Sequence, residues 1–196
     1  MQTERRVWWL DYATRLEPLM NWCLENHAVD RLLVVSRLSQ ESDQPELLVP
    51  PVEEAIHELF ADRILERRYA GGWPGTRLME HDALVTRVEF SIALIEPMVA
   101  AAELLRDWRH SHAPPLPEDV CLYRQGEPLP VLVSATHKGS AWLLTHREVQ
   151  IEGAELGESD LTEFIPPAGQ DFVGESLKYA DSGSAKFKVA TDQQPD

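Results

Sequence analysis

The chain has 196 residues, 43% of them hydrophobic, with 33 Asp and Glu against 18 Lys and Arg, a formal net charge of -15. That length and apolar content fit one ordinary domain, or a domain plus a tail, and exclude a chain disordered throughout. The charge repels nucleic-acid phosphates and anionic membranes and attracts basic partners at long range.

From Arg5-Arg6 the chain runs through only four consecutive apolar residues, Val7-Trp8-Trp9-Leu10, before Asp11. This is neither a secretory leader nor a membrane span, and a cytoplasmic location is expected. Cys23 and Cys121 have no metal-type spacing and read as small buried thiols in a reducing compartment. Trp8, Tyr12, Leu16, Leu19 and Cys23 recur at helical spacing, so a helix is expected over about 3–26, kinked or restarted at Pro18. The run Leu32-Leu33-Val34-Val35 suits a buried strand or the middle of a helix over 28–39, and the elements that follow favour the helix. A further helix is expected from Val52 to about Asp62, then the strand-like ERRY, the turn AGGWPG and a return strand. Helix, loop, helix, strand, Gly-rich turn, strand is the element order of a degenerate winged helix. Trp73, at the tip of that turn, either folds back onto the domain or projects as an anchor for a partner.

Over 82–108, Val85, Val88, Ile92, Ile95, Val99 and Ala102 alternate at three and four, predicting a long central helix kinked at Pro97. The Pro-rich stretch RHSHAPPLPED ends the helical part. Three strands follow, over 120–123, 130–136 and 141–145, joined as an antiparallel meander, with a fourth expected at 149–151. Beyond Gly153 the hydrophobic residues are too sparse for a core. Acid is concentrated there: from Glu148 to Asp196, 11 acids stand against 3 bases. The expected architecture is α+β: residues 1–153 as one domain, helical over its N-terminal two-thirds and ending in the meander, and 154–196 as an acidic, largely irregular tail.

No nucleophile elbow or phosphate-cradling Gly loop is present in the sequence. His110 and His112 form an HxH pair, the one hint of a metal-dependent hydrolase, but no other His or Cys spacing completes a ligand set. Glu54 and His57 form an ExxH without the second ExxH that a di-iron bundle needs. A winged helix that binds DNA requires a basic second helix, whereas this one carries Glu53, Glu54, Glu58 and Asp62. The expected function is therefore a non-enzymatic acidic binding protein without cofactor, most concretely an immunity- or antitoxin-like inhibitor of a basic protein. The alternative is an accessory or adaptor subunit of a cytoplasmic assembly. The contacts expected to hold the basic protein partner are Glu53, Glu54, Glu58 and Asp62, Trp73, and the tail residues Asp160, Glu163, Phe164 and Ile165.

Overall fold

A computed structural model describes residues 6–36, 50–77, 83–109, 111–127 and 129–159. In chain order the strands and helices are β1 (Arg6–Leu10), α1 (Leu16–His27), β2 (Val29–Ser36), α2 (Pro50–Phe60), β3 (Ile64–Ala70), β4 (Gly72–Trp73), β5 (Thr76–Arg77), β6 (Ala83–Glu89), α3 (Ile95–Ala101), β7 (Glu118–Arg124), β8 (Pro130–Ala135), β9 (Ser140–Thr145) and β10 (Leu156–Ser159). Eight strands form one sheet in the order β10-β1-β9-β8-β7-β2-β6-β3. Every neighbouring pair is antiparallel.

This overturns the expected helical N-terminal two-thirds and with it the winged helix: β1, β2, β3 and β6 lie in the same sheet as the meander. The helix expected over 3–26 is a strand followed by a helix. Val7 is buried on one face of β1 and Leu10 on the other, while α1 begins at Leu16 with Pro18 in its first turn, the restart that Pro18 allowed. Residues 29–36 are strand rather than helix. Ala28 adopts the left-handed conformation (φ 47°) and its N–H donates to Leu24 O, which closes α1 and sends the chain straight into β2. Leu32 and Val34 then pack on the helical face and Leu33 and Val35 on the other, so four apolar residues in a row mark a strand covered on both sides.

Residues 83–101 are likewise not one helix. The branched side chains of Val85, Thr86 and Val88 suit β6, which is paired on both edges, with β2 and β3. Ser91 is extended, and α3 starts only at Ile95, with Pro97 in its first turn. All three helices carry proline in the first turn, where the missing N–H would have had no intrahelical acceptor. The three meander strands stand where the apolar runs place them. The last strand of the sheet is not 149–151 but Leu156–Ser159, which pairs with β1 beyond Gly153.

The sheet has a core on each face. On one, α1, α2 and α3 supply Leu16, Leu19, Met20, Ile56, Phe60 and Met98 against Leu32, Val34, Leu122, Leu132 and Leu143. Each such side chain contributes about 1.5–3 kcal/mol on burial. The opposite face holds Val7, Leu33, Val35, Val85, Cys121, Val133, Trp142 and Leu144 around Trp73. Trp73 is carried there by the β4–β5 hairpin, whose two-residue turn Pro74-Gly75 has Gly75 at φ 83°. A Cβ on Gly75 would come within 3.0 Å of Val133 Cγ1 and 3.3 Å of Ala135 Cβ, so the hairpin lies directly on β8.

Candidate interaction surface

α2 buries Val52, Ala55, Ile56 and Phe60 against the sheet and turns its opposite side outward. At 100° per residue, Glu54 and Glu58 lie on that outer side, and Asp62 continues the four-residue spacing in the short 3-10 turn Ala61–Arg63. All three are exposed, and among the described residues no ion pair or hydrogen bond engages them. Glu53 differs. It sits at the flank of α2, half-buried, and Arg67 of β3 donates to its Oε2 at 2.5 Å, so its charge is used inside the fold. Of the four expected acidic contacts, three therefore form an open row and one is a structural ion pair.

Among the described residues, Leu65 and Tyr69 of β3, 57% and 49% exposed, are two of the few large apolar side chains on the surface. Nothing in composition singled them out. ERRY was read as a charged strand, and only the position of β3 at the end of the sheet leaves them uncovered.

Trp73 takes the inward course. It is 2% exposed, and its Nε1 donates to Asp119 Oδ2 at 2.6 Å. Its ring has no open face for a partner, which corrects its place among the expected contacts. The reason is Asp119, a fully buried carboxylate at the start of β7 in the left-handed region (φ 54°). Thr76 Oγ1 also donates to Oδ2 at 3.0 Å, and the backbone N–H of Thr136 donates to Oδ1 at 2.6 Å. Tyr12 Oη donates to Thr136 Oγ1 at 3.0 Å, and burial chiefly pushes this phenol up to about 12, against the lowering effect of the bond to Thr136. Asp119 ties the hairpin, β7 and the β8–β9 turn into one knot. Enclosed and with both oxygens engaged, it is a fastening and not a base open to substrate. A buried indole N–H needs an acceptor, and that requirement was the available sign.

A second polar group sits on the same face as Trp73, across β3, β6 and β7. Arg87 Nη1 donates to Glu66 Oε2 at 3.1 Å, while Arg68 Nε stays 3.9 Å from Glu66 Oε1, beyond hydrogen-bond reach. Arg68 Nε is buried and has no acceptor. Desolvation, then the charge of Arg87, lower the proton affinity of Arg68. Burial above all raises the Tyr123 phenol well beyond its ordinary value, Arg87 and Arg68 opposing it.

Among the described residues no group of three His, Cys, Asp or Glu is placed to hold a metal. His110 lies outside the described residues, and half-buried His112 has its Nδ1 2.9 Å from Pro114 O. Glu54 and His57 are both exposed on α2. Ser134 is buried on β8. Cys23 and Cys121 are free and buried on opposite faces of the sheet, where desolvation first of all pushes both thiols up. The expected tail contacts Asp160, Glu163, Phe164 and Ile165 lie outside the described residues. No described helix is long and apolar enough to cross a membrane. The chain matches no protein-family model, no curated protein and no solved structure.

Proposed function

We propose that this chain is a non-enzymatic acidic binding protein that inhibits a basic protein, in the manner of an immunity protein or antitoxin. The observation that carries the reading is the row Glu54, Glu58 and Asp62, exposed on the outer side of α2 with no internal counter-charge among the described residues. Carboxylates left this way are acceptors only and match Lys or Arg of a partner. Each pair is worth little while exposed, up to about 1 kcal/mol, and more once partner contact excludes water. The net charge of -15 adds long-range attraction, so the encounter is fast and weakened by salt.

The test is a Glu54→Gln, Glu58→Gln, Asp62→Asn triple variant beside the unaltered chain. Both are immobilised against extract of the native cell, and the association rates of the retained proteins are then measured at low and physiological salt. The unaltered chain is expected to retain cationic proteins, and the variant to associate about tenfold more slowly at low salt with an unchanged melting temperature. Retention of the same proteins at the same rates by both chains, insensitive to salt, would sink the proposal.

A further inference from the structure

β3 ends the eight-stranded sheet: one of its edges pairs with β6, and among the described residues nothing pairs with the other. An open edge presents a row of unpaired N–H and C=O groups, and charged side chains usually keep such an edge from pairing. Here the charges are arranged differently. Read outward from Arg67, the segment Leu65-Glu66-Arg67-Arg68-Tyr69 has an acid on one side and a base on the other, then an exposed apolar side chain at each end.

We propose that β3 is the edge through which two copies of this chain join their sheets, antiparallel and related by a twofold axis at Arg67. In that register Glu66 of each copy lies opposite Arg68 of the other, with Tyr69 next along the strand facing the bulge at Leu65, where β3 shifts its register against β6 between Ile64 and Glu66. Directly opposed residues of an antiparallel pair project from the same face, about 4.5–5.5 Å apart, so Glu66 and Arg68 make opposite-charge contacts. Arg67 meets its own copy, but each Arg67 is already neutralised by Glu53.

The surroundings of Arg68 bear on the same pairing. Arg68 Nε is buried without an acceptor, its side chain only 14% exposed, and Glu66 of its own chain stays too far away to serve. Orphaned buried donors are rare and costly. Glu66 of the second copy, directly across the new strand pair, sets a carboxylate against the part of the Arg68 side chain that remains exposed. The twofold axis runs perpendicular to the sheet, so both helical layers stay on one side. The inference is independent of the function proposed above.

Sedimentation equilibrium of the full chain is expected to give twice 22.2 kDa. Arg68→Glu alone and Glu66→Arg alone place like charges opposite each other and are expected to sediment as monomers. An equimolar mixture of the two restores opposite charges and is expected to sediment as a dimer. Cysteine pairing reads the register without depending on those charges. Arg67→Cys is expected to form a disulfide with its own copy. Leu65→Cys is expected to form one only when mixed with Tyr69→Cys, because two copies of position 65 lie about 13 Å apart in this register. The native Cys23 and Cys121 are buried and do not compete. A chain that sediments at 22.2 kDa at every concentration, or a dimer that fails to cross-link in this pattern, overturns the proposal.

Discussion

Asp119 holds more of the second face than any other polar residue described, because three donors from three elements converge on its carboxylate. Replacing it by alanine leaves the buried Trp73 indole N–H and Thr76 hydroxyl, and the half-buried Thr136 amide, without that acceptor. Unsatisfied buried donors cost about 1–3 kcal/mol each, and partial relaxation shares the loss, so Asp119→Ala is expected to lower unfolding free energy by about 3 kcal/mol. Urea unfolding measures it. A loss below about 1 kcal/mol would show that the knot is not what fastens the hairpin. Tyr12 contributes at the same site, through pH. Its phenol ionises near 10 in the unfolded chain and at about 12 in the folded one. The folded state therefore holds the proton more tightly between those values, and stability falls as pH rises through that window while being fully present below 10. Tyr12→Phe has no such proton to lose. Its urea midpoint is expected to decline less steeply above pH 10, and a decline identical to that of the unaltered chain would remove Tyr12 from the account.

Among the elements, β10 tests where the folded unit ends. It pairs with β1 from Val7↔Ser159 to Leu10↔Leu156, so residues 156–159 belong to the sheet although they lie past the composition break at Gly153. A chain ended after Ser159 is expected to keep the melting temperature of the full chain. One ended after Gly153 uncovers the edge of β1 and is expected to lose about 2 kcal/mol, roughly 4–8 °C at this chain length. Equal melting temperatures for the two truncations would return the boundary to Gly153. Other elements show how far periodicity reaches. α2 was legible because Val52, Ile56, Leu59 and Phe60 fall on one side of a helix and acids on the other. β7, β8 and β9 were legible because short apolar runs alternate with Gly- and Pro-bearing turns. β2 was not, since four consecutive apolar residues satisfy either period and only cover on both faces distinguishes them. β6 misled more deeply. In Ala83-Leu84-Val85-Thr86-Arg87-Val88-Glu89 the pair Val85 and Val88 falls at helical spacing, while the branched side chains favour a strand, and pairing with β2 and β3 decided it.

For the whole molecule, the amino-acid sequence by itself determined the net charge, the two unpaired thiols, the short helix with the acidic outer row, the meander and the turn at Pro74-Gly75. Each of these depends on composition or on residues within one turn or one hairpin of each other. What only the tertiary structure decided is what depends on distant neighbours. Strand pairing joins residues far apart in the chain, such as Arg6 with Thr145 and Leu10 with Leu156, and no local pattern encodes such a partner. The same holds for the expected surface. Whether Glu53 and Trp73 face a partner or the interior depended on Arg67 and Asp119, which stand 14 and 46 residues away, and burial or exposure is a property of what packs above a residue rather than of the residue itself.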